Sequence, residues 1–488
     1  MRVALVHGYF LSDSGSGVYV RELVRALVRL GHEVTLVCQE REPRLYDFID
    51  SAFALDESNA TLEPVYGAPH GYAGSCRLVR PSLGGKLLVY VGGPFPPFAQ
   101  QDVTAFQNAS AAARGRYVSA NVAALRTTFA AWPPELVLSQ HLIMQPFVVG
   151  EALAGAAPYV VTEHGSALNF SVRECDALVP YAIEGLAGAA AVVTVSPGAC
   201  ADLVAWSAEH GLDIAAKTVW LSPGIDARLF TPAGDRQVAI DAMLSRVDMP
   251  PGFDVLPDDD ILVFAGALRA TKGVQHAVAA LPLIARGRGK RQRLLIAGDG
   301  PARGLLNGLS ALTAAGESTA ARRVVARFED LRSPAEWGDV VADAAPMPDG
   351  PSVAFLGHLS HSQLSSVFAA ADAALVPSVF PEASALVAGE ALSSGALPLA
   401  SYHSGMASLD DFLAETFSDR VFTSLSPGHD FTDRLATAVI HVLDTYPTAD
   451  PAFRTRVHEA ALSRYRTWEG TAEAYLEMGT MQRSEPSA

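Results

Sequence analysis

The feature that most constrains this chain is one pattern that occurs twice: a short, wholly apolar run, a glycine-bearing loop, and a helix with one apolar face. The first instance opens the sequence. Val3–Val6 is closed by His7 and Gly8, and the loop Ser12-Asp13-Ser14-Gly15-Ser16-Gly17 follows. From Val18 to Leu30, Val20, Leu23, Val24, Leu27 and Leu30 recur at helical spacing, Gly31-His32 stops the helix, and Glu33–Cys38 is a second run. Apolar runs without alternation suit strands covered on both faces. Strand–helix–strand order implies parallel pairing through a crossover. Further strands are expected at Leu136–Ser139, Tyr159–Thr162, Ala191–Val195 and Thr218–Leu221. The pattern restarts at Ile261–Gly266, with a helix over Val274–Ala285, strands at Arg293–Gly298, Val353–Leu356, Ala373–Pro377 and Leu397–Ser401, and a helix over Val387–Ser393. Between the two instances, Pro223, Pro232, Pro250, Pro251 and Pro257 punctuate a polar stretch that reads as an interdomain linker holding a short helix. A length of 488 residues accommodates two such α/β domains.

Composition removes several function classes. Apolar residues make up 49% and charged residues 18%, enough for full cores and too apolar for a disordered chain. The net charge of −16 repels phosphate backbones, so no nucleic-acid partner is expected. No apolar run approaches the ~18 residues of a spanning helix. The N-terminal run turns polar at Ser12, too early for a secretory signal, so the expectation is a core strand of a cytoplasmic protein. Cys38, Cys76, Cys175 and Cys200 form no C-x-x-C pair and read as free thiols rather than zinc ligands. Arg21, Arg25 and Arg29 make a basic stripe, but Glu22 beside it favours a solvated face over a lipid-binding one, and membrane contact is not expected. Asp258-Asp259-Asp260 precedes a strand, the wrong end for a ligand in an open α/β sheet, and reads as a solvated turn; no metal site is expected.

Two segments carry chemistry. Gly15-x-Gly17 lacks the third glycine of a dinucleotide fingerprint, since position 20 is Val, although Glu40 stands where a ribose-binding acid would. The more general reading is a helix start whose N–H groups face an anion. The richer segment is Phe380–Ser401. Glu382 falls in the loop after Val376-Pro377 and Glu390 within the following helix, with Ser384, Ala385 and Leu386 leading into that helix. N–H groups at a helix start bind phosphate, helped by the helix dipole. A loop carboxylate beside them suits sugar hydroxyls, and one a turn inside the helix reaches a ribose diol. His141 and His164 each follow a strand; His7, at the end of the first strand, reads as a satisfied turn residue.

The Glu382-x7-Glu390 segment resembles the E-x7-E motif of the retaining glycosyltransferases of family four, which have the GT-B fold. Other stretches agree in order: Gly15–Gly17 with Gly31-His32-Glu33-Val34, Glu163-His164-Gly165, Val195-Ser196, Ser222-Pro223-Gly224-Ile225-Asp226 with Phe230-Thr231-Pro232, Ile296-Ala297-Gly298-Asp299-Gly300-Pro301, Phe355-Leu356-Gly357 and Ser394-Gly395. The resemblance covers most of the chain apart from about 41–130 and 305–350. It implies an α/β, GT-B protein: two Rossmann-like, doubly wound parallel-sheet domains facing a cleft. Residues 1–222 would be the acceptor domain, 223–455 the nucleotide-sugar donor domain, and 456–488 a helix crossing back to the first domain plus a frayed tail.

The implied activity is retaining hexosyl transfer from a nucleotide-diphosphate sugar, a UDP-sugar first, to a small-molecule or glycan acceptor, with no other cofactor. By resemblance, His164, Lys272 and Glu382 carry catalysis. Gly15, Ser16, Gly17, Gly266, Lys272, Ser384, Ala385, Leu386 and Glu390 bind the donor; Arg269 joins them as a substitute cation, and His141, from its place after a strand, is expected to touch the acceptor. The implied reaction is front-face, the leaving phosphate taking the acceptor's proton. The acceptor would be read by Arg41–Pro134, with Gly92–Phe98 and Asn108–Arg126 shaping its cleft. One departure stands out. The family's Gly-Arg-Leu-x-x-x-Lys-Gly reads Gly266-Ala267-Leu268-Arg269-Ala270-Thr271-Lys272-Gly273 here, with Ala267 at the Arg position. In an extended stretch Arg269 would share the face of residue 267 and replace the lost cation; a turn residue at the surface is the other reading. Two further functions remain open, a non-catalytic sugar-nucleotide-binding protein and a sugar-nucleotide epimerase of the same fold.

Overall fold

The computed structural model describes residues 1–11, 14–83, 85–89, 103–325 and 352–481. Ser12-Asp13, the Gly92–Phe98 cluster and the tail Gln482–Ala488 lie outside the described residues. The chain divides into two compact units, Met1–Gly224 with Arg466–Ala488, and Ile225–Tyr465.

Unit one contains β1 (Arg2–Val6), α1 (Gly15–Arg29), β2 (Glu33–Val37), β3 (Ser51–Leu55), β4 (Leu62–Gly67), β5 (Ser75–Arg80), β6 (Leu87–Val89), β7 (Val103–Ala105), α2 (Ala111–Ala131), β8 (Leu136–Gln140), α3 (Gln145–Leu153), β9 (Tyr159–Glu163), α4 (Val179–Ala187), β10 (Ala191–Thr194), α5 (Pro197–Glu209) and β11 (Thr218–Trp220). Nine strands form one sheet in the order β11-β10-β9-β8-β1-β2-β5-β3-β4; only β3–β4 is antiparallel. β6 and β7 pair separately. The central strands are apolar because helices cover both faces: Val3, Ala4, Leu5, Val137, Leu138, Val160 and Val161 are at most 1% exposed. Ser14 caps α1, its hydroxyl accepting from Gly17 N at 3.0 Å. The run Asn108–Arg126 falls mostly in α2, which buries Tyr117, Asn121, Ala124 and Leu125.

Unit two contains α6 (Arg236–Leu244), β12 (Asp260–Ala265), α7 (Val274–Arg288), β13 (Gln292–Ala297), α8 (Arg303–Ala314), α9 (Ser318–Val325), β14 (Val353–Gly357), α10 (His361–Ala370), β15 (Ala373–Val376), α11 (Leu386–Ser393), β16 (Leu397–Ala400), α12 (Ala407–Phe417), α13 (Phe431–Thr445) and α14 (Pro451–Arg464). Its sheet is wholly parallel, in the order β14-β13-β12-β15-β16. The last helix, α15 (Trp468–Met481), belongs to unit one and packs on α1.

Three expectations change. The stretch after Ser222 is not a linker: Ile225, Phe230, Ile240, Met243, Val247, Phe253 and Val255 are buried in the cores of unit two. Exposed prolines such as Pro251 and Pro257 alternate with these buried anchors. Residues 456–465 stay with unit two, because α14 is anchored there by Arg454, which donates to the carbonyls of Ala369, Ala371 and Ser394 at 2.6, 2.7 and 3.0 Å. The acidic triplet is solvated only at Asp258. Asp259 and Asp260 are 3% and 5% exposed and pair with Arg291 and Arg288, each at 3.0 Å. A fully buried guanidinium, Arg293, sits 3.5 Å from Asp259, so neighbouring cations compensate these charges.

Candidate functional site

In a doubly wound sheet, ligands sit beyond the carboxyl ends of two adjacent strands whose connections leave in opposite directions. In unit two those strands are β12 and β15. The loop after β12 is a short 3-10 turn, Ala270–Lys272, ending at Gly273 with φ +69°. A Cβ there would lie 1.6 Å from Pro377 O, so only glycine lets this loop close against the one after β15. Val379 N donates to Thr271 O at 3.0 Å and fastens the same two loops. Gly298, with φ +132°, makes the corresponding approach on the β13 side, where a Cβ would be 2.0 Å from Gly266 O.

This clamp brings Lys272 to Glu382. Lys272 Nζ lies 2.5 Å from Glu382 Oε1, which also accepts from the Ser378 hydroxyl. The Glu382 carbonyl accepts from Gly405 N at 2.9 Å, and His403 Nε2 lies 2.7 Å from Ser378 O. Burial lowers the pKa of His403, partly offset by that bond and by Glu382. Ser384 and Ala385 precede α11 and Leu386 begins it, ahead of the bond from Ala388 N to Ala385 O at 3.1 Å. The N–H of Leu386 is therefore one of the groups a helix start leaves without an intrahelical acceptor. Glu390 lies in α11, 8% exposed, with His361 Nε2 3.6 Å from its Oε1. His361 is held edge-on to Phe230, centroids 6.0 Å apart. Nothing in the local sequence marked His361, which starts a helix 29 residues before its partner.

Of the two readings of Ala267–Arg269, the structure shows the turn. Arg269 N donates to Ala267 O at 2.8 Å, and Leu268 between them is fully buried, its N donating to Asp299 O at 3.0 Å. Strand alternation therefore does not place residues 267 and 269 on one face. Arg269 is half-buried, and burial lowers its pKa.

In unit one the corresponding strands are β1 and β8. His7 follows β1, His141 follows β8 and His164 follows β9. His7 and His141 stack with centroids 5.3 Å apart, and His141 and His164 are 5.0 Å apart. His7 Nε2 meets Phe10 O at 3.2 Å, and His164 Nε2 meets Gln140 Oε1 at 2.9 Å. Desolvation lowers all three pKa values, to about 4 for His7, to about 3 for His164 and well down for His141, so all are neutral imidazoles at pH 7. Glu163 beside them is driven the other way by burial, to about 7, against the pull of bonds from Gly165 N at 2.7 Å and Leu168 N at 3.5 Å. Gly15, Ser16 and Gly17 form the first turn of α1.

Other candidates resolve into structural roles. Glu40 is not placed for a ribose: Oε2 accepts from Leu11 N at 3.2 Å and Tyr46 OH at 3.0 Å, and Oε1 from Arg41 N and Glu42 N. The basic stripe is engaged in ion pairs, Arg21 and Arg25 with Glu22, Arg25 also with Asp47, and Arg29 with Glu469. All four cysteines are free thiols; Cys38 and Cys76 are buried, while Cys175 and Cys200 are half-buried. Among the described residues, no group of three or more His, Cys, Asp or Glu could hold a metal ion, and no helix is long and apolar enough to cross a membrane.

Residues 14–211 match the family model described as a glycosyl transferase 4-like domain. A comparison with curated protein sequences finds no match. Among solved structures, the chain is similar to a sucrose-phosphate synthase from Thermosynechococcus elongatus, with TM-score 0.61, 19% identity, and 99% and 98% of the two chains covered. It is also similar to the catalytic domain of starch synthase IV from Arabidopsis thaliana bound to ADP and acarbose, with TM-score 0.59, 16% identity, and 99% of each chain covered. A third is Anabaena HepE in complex with UDP, with TM-score 0.57, 14% identity, and 99% and 100% covered. The fold is GT-B, that of these glycosyltransferases, and the chain resembles those of family four.

Proposed function

We propose that the protein is a retaining glycosyltransferase that moves a sugar from a nucleoside-diphosphate donor to an acceptor hydroxyl. The observation that carries this reading is the clamp in unit two. Gly273 against Pro377 sets Lys272 on Glu382 beside the start of α11, with Glu390 inside that helix. A diphosphate leaving group gathers about two negative charges. Lys272 meets one, and the N–H groups of Ser384, Ala385 and Leu386 with the helix dipole meet the rest. Lys272 Nζ and the Ser378 hydroxyl both meet Oε1 of Glu382, and Oε2 takes donor-sugar hydroxyls. Glu390 takes the ribose diol. Unit two binds the donor, and the neutral histidines of unit one are suited to take substrate hydroxyls. The leaving phosphate accepts the acceptor's proton, and the reaction needs no metal ion or further cofactor. UDP-glucose is the first donor to try, since HepE has been captured with it.

The test is a panel of UDP-, GDP-, ADP- and TDP-sugars offered to the protein with mixed acceptors. Nucleotide release is measured, and the anomeric configuration of the product is read by NMR. Release of nucleoside diphosphate with retained configuration is expected. An epimerised sugar nucleotide, or binding without turnover across the panel, would replace this reading with one of its two rivals.

A further inference from the structure

His164 ends a chain of buried polar groups that begins on the last helix of the same unit. Its Nε2 lies 2.9 Å from Gln140 Oε1. Gln140 Nε2 donates to Thr162 Oγ1 across 3.4 Å, the longest link. Thr162 Oγ1 is 2.8 Å from the hydroxyl of Tyr475 in α15, and that hydroxyl is 2.8 Å from the hydroxyl of Tyr19 in α1. The chain folds back on its start, for the Tyr19 ring stands edge-on to His164 with centroids 5.0 Å apart. Gln140, Thr162 and Tyr475 are fully buried and Tyr19 is 2% exposed, so water cannot replace these links and the Thr162 hydrogen goes to a neighbour in the chain.

Such a chain has a direction. With the Gln140 amide nitrogen given to Thr162, its oxygen faces His164 and takes the Nε2 hydrogen. Thr162 then donates to Tyr475, whose hydroxyl also pairs with that of Tyr19. A neutral imidazole carries one hydrogen, so Nδ1 is left as an acceptor. We propose that Tyr475 is a positioning residue: through Thr162 and Gln140 it holds His164 in the Nε2–H tautomer, so that Nδ1 accepts a hydrogen bond from a substrate hydroxyl. The hydroxyl rests on the function proposed above; the tautomer does not. Without the Tyr475 hydroxyl, the Thr162 hydrogen loses its acceptor and turns toward Gln140. The amide then rotates end for end, and the imidazole hydrogen moves to Nδ1. A donor stands where an acceptor is needed.

The experiment uses the full chain labelled with 15N at histidine, at pH 7 and without ligand, with His164→Gln to assign the His164 resonances. Tyr475→Phe removes one hydroxyl and keeps the ring; Thr162→Val breaks the next link and serves if the first variant misfolds. The wild type should show His164 as Nε2–H, and both variants a raised share of the Nδ1–H form. UDP release from UDP-glucose should fall roughly three- to ten-fold in kcat for Tyr475→Phe, the scale of one mispaired hydrogen bond, with KM less affected. A wild-type Nδ1–H tautomer, or an unchanged ratio in the variants, overturns the inference. A shifted ratio with full UDP release by His164→Gln supports the wiring and overturns instead the role given to His164.

Discussion

Gly273→Ala tests the clamp on which the proposed donor site depends. Two costs arise. Alanine at φ +69° meets the left-handed penalty, about 1–2 kcal/mol. Its Cβ would also fall 1.6 Å from Pro377 O, a backbone atom that cannot swing aside. Forcing a group into packed structure costs about 1–3 kcal/mol more. The structure supplies its own control in Gly289, with φ +64° and nothing within 4 Å of the added Cβ. Gly289→Ala carries the first cost alone. For a unit of this size about 1 kcal/mol corresponds to roughly 2–4 °C in Tm. Calorimetry should therefore find Gly273→Ala melting well below Gly289→Ala, and both below wild type. The clamp adds a second expectation: only Gly273→Ala should weaken UDP binding, by roughly ten-fold or more if one charge-assisted contact is lost, because moving the loop takes Lys272 off its register with Glu382. Equal melting of the two variants, or unchanged UDP affinity in Gly273→Ala, would refute the reasoning.

Further predictions concern the same two sites. Glu390→Ala should weaken binding of a nucleoside diphosphate without its sugar; unchanged affinity by calorimetry would remove it from the ribose. If Arg269 replaces the cation missing at Ala267, Arg269→Ala and Lys272→Ala should each raise the donor's Kd roughly ten-fold or more, less than additively together, and Ala267→Arg should rescue the former; a silent Arg269→Ala would leave the diphosphate to Lys272 and backbone amides. Deleting 466–488 removes Trp468 and Tyr475 from unit one, at about 3–5 kcal/mol for each large aromatic, and should leave unit one loosened by hydrogen exchange while Ile225–Tyr465 is unchanged. Glu163 gives a pH signature. Its folded pKa of about 7 lies above the ordinary 4.5, so the folded state holds the proton more tightly. Its contribution is fully present below about 4.5 and is lost as pH rises through about 7. Glu163→Gln should therefore gain stability relative to wild type across that window, and a pH-independent difference would argue against a buried titrating carboxyl.

The elements that position both sites were legible because they are buried on both faces. Tyr159–Glu163, Leu136–Gln140, Asp260–Ala265 and Leu397–Ala400 are apolar runs a residue or so from where the sequence places them. The strands Ser51–Leu55 and Leu62–Gly67 were not, because at the sheet edge their faces are mixed: Leu62–Gly67 has no buried residue. Lys272 and Glu382 could be named from motif order, but their 2.5 Å contact depends on Gly273 closing against Pro377, which spacing does not reveal. The turn at Leu268 stayed undecided between two readings because a spacing of two residues fits an extended stretch and a tight turn alike. Nothing local links Tyr475 to Thr162, which are 313 residues apart and meet only once the last helix docks.

That separation has a consequence for how the protein is made. Unit one holds both the first and the last described stretches of the chain, while unit two is one uninterrupted segment. On the ribosome the usual order, N-terminal unit first, is therefore inverted. Ile225–Tyr465 can fold as soon as it emerges, but the nine-stranded sheet made before it must wait for Trp468 and Tyr475 to seal Tyr19. At about 5–20 residues per second that wait lasts from roughly ten seconds to a minute. Throughout it, the α1 surface destined for α15 is open to chaperones, and His164 can be set for its task only once α15 has emerged and docked.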